Sequence, residues 1–455
     1  MAETNDASEQ LKQAKELFKE GNTEGAFKAV KRVLQYPGTG VSETGVFVEA
    51  LDAFAPISQQ LGGDSNIAEL VHDAAAEPDN VDSLYELGNE MIKCQLQSMA
   101  ATVLARAQAL APDEEPVTST LAVALEKEMR HKDACRVLEA STELIKTDFI
   151  CCYLLALNSI MVGKLDRVRE LLPVLRQLCG EDDTYEVLPR RMEAMLERAS
   201  SVEGVTTLDQ HDLRGWHYVL SGGLLLSLAV AGFDDPMHGR FCFIYDNESV
   251  CLESIRRLKL VLDQANITPP RVFCVQEHKS ALLAKALAET LGCELVAWPE
   301  NGSREPGIIA IYDSEDIDYT TYDTMQERPA GQILWTHALK WTRTHTVAPD
   351  VVSYLSQFNY SPWHRSPPSV KDGKVADQTE ADDPATVHPD VLVQRILEAH
   401  VEGAGSYFIG DTDKLLEFAR VTALCPHSST PGAPCVSGKR GIMFAGSPVP
   451  SNRFN

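Results

Sequence analysis

Three short stretches of this chain carry side chains able to do acid–base or ligand-binding chemistry, and each follows an apolar run. RVFCVQ leads into Glu277-His278-Lys279-Ser280, which gathers a carboxyl, an imidazole and an ammonium at the start of a helical pattern. ELVAWP leads into Glu300, beside Trp298 and Pro299. GIIAIYD leads into Ser314-Glu315-Asp316, then Asp318 and the pair Thr320-Thr321. Glu277, His278, Glu315 and Asp316 are the candidate catalytic residues, because carboxyl and imidazole groups are the usual proton carriers at an active site. Whether the four converge on one cleft is the observation that bears most directly on that role. His238-Gly239-Arg240, just before the run RFCFIYD, is a candidate anion-recognition pair, set against a plain turn with solvated charges.

Other chemistries find less in the residues. There is no GxxxxGK[ST], and no GxGxxG follows an apolar run, so nucleotide loops are not expected. Ser280 lacks the glycine elbow of a hydrolase serine. Cys274 sits in apolar company, where an inert thiol is the default. Cys425, His427 and Cys435 give one short pair, whereas zinc sites show paired short spacings, so no metal is expected. Trp335, His337, Trp341, Trp363 and His364 fit a pocket for a planar or sugar-like ligand and an ordinary aromatic core equally well.

The elements that must position these groups are short strands and helices. Residues 240–246, 271–276, 294–299 and 307–313 read as strands, and 249–265 and 278–292 as helices. Strands joined by helices of this length pair in parallel, which predicts a Rossmann-like α/β domain over 201–455. In open sheets of this kind, ligands bind beyond the carboxyl ends of the strands. Trp216–Phe233 reads as a buried core helix, QILWTHAL as strand or helix, and VAPDVVSYLSQF and 388–401 as helices. Residues 365–390 read as a flexible excursion, and the chain from Pro426 on as a tail that wraps the surface or stays mobile.

The segment IIAIYDSEDIDYTT is similar to the diphosphate-sugar signature of type I phosphoribosyltransferases. That resemblance implies Glu315 and Asp316 on a ribose and its metal, and Thr320 and Thr321 on a 5′-phosphate. With His238 and Arg240, these threonines are the candidate ligand-binding residues. No glycine follows the acids here, and Tyr319 and Tyr322 flank the threonines.

The first 200 residues have another texture. Leu84, Leu87, Gly88 and Met91 share one helical face, Ala100, Leu104 and Ala107 the next, and Pro112 closes the unit. One period later Leu121, Ala122, Leu125, Ala134 and Leu138 take the same slots, and then Leu155, Ala156, Ser159, Val168 and Leu172. This spacing resembles the tetratricopeptide repeat (TPR), a helix–turn–helix unit of about thirty-four residues. One such unit cannot bury its own apolar stripe, so the resemblance implies a stacked array over roughly 8–200 with a groove for a protein or peptide. The groove would be lined by Tyr85, Asn89 and Lys93, then Ser119, Val123 and Lys127, then Tyr153 and Leu157. Tyr85 stands where a carboxylate-clamping lysine would be, so an extended or helical peptide is the expected guest.

Composition narrows the classes. A net charge of −25 with no basic cluster argues against nucleic acid. Eleven irregularly spaced cysteines, mostly within apolar runs, read as reduced thiols. The polar start MAETNDASEQ and the absence of a clean twenty-residue apolar run give no export signal or membrane span. A cytoplasmic, acidic scaffold of class α + α/β is therefore expected, with domains 1–200 and 201–455. The alternative is an enzyme acting on a phosphorylated or sugar-like small molecule, with the repeats for targeting. Catalysis and cofactor are left open by the residues.

Overall fold

Left-handed backbone returns with the period of the repeat. Gln95, Met129 and Gly163 have φ of 61°, 55° and 80°, one thirty-four-residue step apart. The amide after each reaches back over the turn: Leu96 to Met91 O, Arg130 to Leu125 O, and Lys164 to Ser159 O, at 2.8–2.9 Å. These bonds close a helix and reverse the chain, which makes each period a hairpin. The computed structural model describes residues 2–39, 41–61, 66–180, 184–230, 237–363, 370–371, 374–375, 387–405, 407–422 and 438–453.

The helices are α1 (Ala2–Lys19), α2 (Thr23–Leu34), α3 (Thr44–Leu61), α4 (Ile67–Ala76), α5 (Val81–Lys93) and α6 (Gln97–Leu110). They continue with α7 (Glu115–Lys127), α8 (His131–Ala140), the short α9 (Thr142–Thr147), α10 (Phe149–Met161), α11 (Leu165–Cys179) and α12 (Val187–Ser201). Within α5/α6 the close approach depends on Gly88, because a Cβ there would lie 2.5 Å from Cγ of the fully buried Leu104. Asn80 caps α5 by accepting from the amides of Asp82 and Ser83, and Asp148 caps α10 through Cys151 N. The first unit is thus a TPR-like helical array. The chain divides into compact units Met1–Met192 and Glu193–Asn455, a division that falls within α12.

The second unit is built on a parallel sheet. Its strands are β1 (Leu224–Leu225), β2 (Phe241–Tyr245), β3 (Arg271–Cys274), β4 (Glu294–Ala297), β5 (Gly307–Asp313), the short β6 (Glu327–Arg328), β7 (Gln332–Lys340) and β8 (Val351–Tyr360). The order is β1-β8-β7-β5-β3-β4, with β2 also on β8, and every pairing in this sheet is parallel. From β3 the chain steps outward to β4, then returns across β3 to β5 and continues the other way. The strand order therefore reverses between β3 and β5. The helices here are α13 (Leu213–Ser221), α14 (Glu248–Gln264), α15 (His278–Leu291), α16 (Tyr319–Asp323), α17 (Pro389–Leu397) and α18 (Thr412–Ala419). Phe273, Val275, Trp298, Ile309, Ile311 and Leu334 form one core cluster, and Phe241, Ile244, Val250, Tyr354 and Phe408 another.

Three expectations are corrected. The run Trp216–Phe233 is not one helix: Gly222 takes φ 80° and ends α13, and Leu224–Leu225 joins the sheet beside β8. VVSYLSQF is not a helix but most of β8, whose first seven residues are buried between β7 on one side and β1 and β2 on the other. The tail from 438 to 453 does more than wrap the surface. Gly438–Lys439 pair antiparallel with β6, and the buried Arg440 guanidinium donates to Met325 O, Glu327 O and the Asp350 carboxylate at 2.7–2.8 Å. Most of 365–390, and the Cys425, His427 and Cys435 set, lie outside the described residues.

Candidate functional site

Where the strand order reverses, the ends of β3, β4 and β5 surround a cleft of about 390 Å³. Val275, Trp298, Pro299 and Ile317 give it apolar walls, and Gln276, Glu277, Glu300, Asp316, Asp318 and Thr321 complete the lining. The three stretches singled out by their residue types thus share one cavity, but only part of each enters it. Of the candidate catalytic residues, Glu277 and Asp316 line the cleft. His278 is exposed on the first turn of α15. Glu315 lies outside the lining and is held by Arg343 at 2.9 Å and Lys340 at 3.9 Å. The four do not meet.

The carboxylates in the cleft have local work. Glu277 caps α15, accepting from Lys279 N, Ser280 N and Ser280 Oγ at 2.8–2.9 Å. Asp316 pairs with Lys279 Nζ at 2.7 Å. Asp318 accepts from Thr321 N at 2.9 Å and from the Thr320 hydroxyl, and these bonds hold its carboxyl down to about 2. Behind them, burial raises Asp313 to about 6, a value suited to proton exchange near neutrality. Four carboxylates against one ammonium give the cleft a negative field.

That field and the local backbone argue against the phosphate-binding role implied for Thr320 and Thr321. Residues 319–323 form one helical turn whose start is already capped by Asp318, so the amide a phosphate would use is taken by a carboxylate. The proposed pair of His238 and Arg240 also separates. His238 Nδ1 lies 3.2 Å from His211 Nδ1, while Arg240 turns inward and is 1% exposed. Its guanidinium donates to Val449 O, Ser451 Oγ and Ser447 Oγ and lies over the Trp341 ring.

One polar cluster escaped the sequence reading. Asp246, immediately after β2, is buried, and its Oδ2 accepts from Tyr312 OH (2.5 Å) and Tyr354 OH (3.2 Å) and lies 2.8 Å from His337 Nε2. The Cys251 thiol is 3.8 Å from the same oxygen, and Asp246 Oδ1 accepts from Asn247 N. Burial and the Asp246 charge push the Tyr312, Tyr354 and Cys251 groups well above their ordinary values. Trp335 and His337, held open between ligand pocket and core, are fully buried core residues. The available signal was position: Asp246 ends a strand, as the singled-out acids do. Asp246, Cys251 and His337 have ligand-type atoms within 4.8 Å of one another. Tetrahedral zinc ligands with bonds of about 2.0–2.1 Å stand about 3.3 Å apart, so the 2.8 Å Asp246–His337 separation is a hydrogen bond rather than a metal bite. In the second such group, Glu115, Asp148 and Cys151, burial and the Asp148 charge keep the thiol protonated.

In the helical unit, Tyr85, Asn89 and Val123 are half-buried and Lys93 and Lys127 exposed, all on the first helices of their hairpins. Three other proposed groove residues are not available. Ser119 is buried with its hydroxyl on Pro116 O, Leu157 is 2% exposed, and Tyr153 is covered, its OH accepting from Arg191 of α12 at 2.7 Å. The accessible row therefore spans α5 and α7 and is closed at α10.

Beside the covered Tyr153 runs a buried polar chain. Asn158 Nδ2 is 3.4 Å from Glu126 Oε2, and Asn158 Oδ1 is 2.8 Å from His131 Nδ1. Burial raises the Glu126 carboxyl to about 7 from an unfolded value near 4.5. Between those values only the folded chain holds the proton, so this group's contribution to stability falls as pH rises through the window. Glu126→Gln removes the penalty. It is expected to stabilise the array by about 1–3 kcal/mol at pH near 8 relative to its effect at pH near 4, read from helical melts by circular dichroism.

Among solved structures, the chain is similar to MamA of strain AMB-1, at 16% identity over 41% of this chain and 97% of that one, with a TM-score of 0.25. It is similar to a thermophilic TPR protein of Thermus thermophilus, at 16% identity, 41% and 98% coverage and a TM-score of 0.26. It is also similar to PilF of Pseudomonas aeruginosa, at 15% identity, 44% and 84% coverage and a TM-score of 0.25. No family model and no curated protein matches the chain. No helix among the described residues is long and apolar enough to cross a membrane.

Proposed function

We propose that the protein is an adaptor whose helical array docks a peptide segment of another protein across α5 and α7. The supporting observation is the row Tyr85, Asn89, Lys93, Val123 and Lys127, which stays accessible between packing positions while the next hairpin is closed by Arg191. Tyr85 and Val123 offer apolar contact and Lys127 a charge for an acidic neighbour. This chemistry favours an amphipathic peptide with an aromatic or aliphatic anchor. Peptides selected from a displayed library on the full chain test the idea by fluorescence anisotropy. Tyr85→Ala with Val123→Asp should weaken the selected peptide at least tenfold, and Tyr153→Phe should not. Equal affinity for all three proteins would remove the proposal.

We read the α/β unit, with its parallel sheet and reversing strand order, as Rossmann-like, and its cleft supports a second reading. Its carboxylate-rich lining favours a small cationic or polyhydroxylated ligand over a phosphorylated one. Spermidine, magnesium and simple sugars are expected to include a compound that raises the melting midpoint, whereas sugar phosphates and nucleotides are not. Asp316→Asn with Glu300→Gln should abolish the rise. A rise confined to phosphorylated compounds would exclude this reading.

A further inference from the structure

Two histidines of the α/β unit stand edge to edge outside both the cleft and the core clusters. His211 lies in the turn before α13 and His238 in the turn before β2, 27 residues apart along the chain. Their Nδ1 atoms are 3.2 Å apart, whereas the ring centroids are 5.0 Å apart and the planes are tilted by 56°. The two nitrogens are thus the facing edges of the pair. His211 is exposed and His238 half-buried, so an ion can reach them from solvent.

Both imidazoles hang from backbone that is already held. His211 N donates to Asp209 Oδ1 at 2.7 Å, and Asp209 O accepts from the indole of Trp216, which is 1% exposed, at 2.9 Å. On the other turn, His238 and Gly239 take φ of 44° and 91°. Gly239 O accepts from Ala229 N at 2.8 Å, and Met237 O from Arg240 N at 3.1 Å. Ligands fixed in advance lose little freedom when an ion arrives. Gln210 adds an outer contact, its carboxamide nitrogen 3.3 Å from His211 Nε2. Half a turn of that amide brings its oxygen to an Nε2–H, the tautomer that leaves the Nδ1 lone pair free.

Two imidazole nitrogens on one tetrahedral zinc, with bonds of about 2.0–2.1 Å, stand about 3.3 Å apart. The pair already has that span, unlike the 2.8 Å contact of Asp246 with His337. In sequence each histidine has aspartates within four residues, at 209 and 212 for His211 and at 234 and 235 for His238. Such acidic surroundings suit a cation. We infer that His211 and His238 bind a zinc ion through their Nδ1 atoms, with water completing its coordination. The ion ties the turn before α13 to the turn before β2.

The test uses the full chain, kept reduced, with zinc titrated against a chromophoric chelator and cobalt(II) as the visible substitute. One cobalt should give the absorption bands of a tetrahedral site without the near-ultraviolet band of thiolate ligation. His238→Asn keeps a residue that tolerates left-handed backbone, and His211→Gln keeps a polar side chain, so both should fold. Each should weaken zinc at least about tenfold. Asp316→Asn with Glu300→Gln should leave zinc affinity unchanged, which separates this site from the cleft. Crystals soaked in zinc should show anomalous density between the two imidazoles. Zinc affinity unchanged in either histidine variant, or cobalt bound through thiolate alone, would overturn the inference. So would the absence of stoichiometric zinc binding, which would leave the pair joined by a hydrogen bond only.

Discussion

Asp246→Ala is expected to destabilise the α/β unit by about 3–5 kcal/mol, the usual cost of stripping the acceptor from buried donors. Tyr312 and Tyr354, both fully buried, would lose the oxygen their hydroxyls now reach, and His337 Nε2 would be left without its partner. Tyr354 alone has a second acceptor, Asn359 Oδ1 at 3.2 Å, so Tyr354→Phe should cost far less, about 1 kcal/mol. The measurement is simple because all five tryptophans lie between residues 216 and 363. Their emission reports the α/β unit and not the array. In urea the Asp246→Ala emission midpoint should fall sharply while the helical signal of the first unit keeps its own transition. A midpoint shift equivalent to less than about 1 kcal/mol would mean that water or rearranged side chains replace the carboxylate.

In the array the largest expected effect belongs to Gly88→Val. Propensity alone argues for replacing a mid-helix glycine, since another residue gains up to about 1 kcal/mol of helix preference over it. Packing argues the other way and wins. A Cβ would stand 2.5 Å from Leu104 Cγ and 2.7 Å from its Cδ2. Leu104 has no exposed surface into which to retreat. Valine adds two further carbons to that clash, so a net loss of about 2–3 kcal/mol is expected, seen as an earlier helical melt. Gly88→Ala should show the same sign with a smaller loss. A melt unchanged by valine would show that α5 and α6 are not held at the distance this glycine sets.

The array was legible because its information is periodic. Small and large residues return at fixed steps, and the left-handed turns at Gln95, Met129 and Gly163 keep the same step. What covers Tyr153 was not legible, since Arg191 reaches it from a helix outside the repeat. The strand ends lining the cleft were readable from short apolar runs that stop at polar residues. Which of those polar groups would turn inward was not: Glu277 and Asp316 line the cavity while Glu315, next in sequence to Asp316, leaves to meet Arg343. β8 was misread because a strand buried over seven successive residues shows no alternation, and periodicity cannot then separate strand from helix. The Asp246 cluster was invisible for a different reason. Tyr312, His337 and Tyr354 stand 66, 91 and 108 residues away along the chain, so only the sheet brings them to Asp246.

The most direct test of the proposed docking surface is hydrogen–deuterium exchange on the full chain, with and without a selected peptide at saturation. Slower exchange should concentrate in 81–93 and 115–127, which are α5 and α7, and α10 should change little because α12 already covers it. Protection centred instead on α6 and α8, the second helices of the same hairpins, would place the guest on the opposite face and contradict the account.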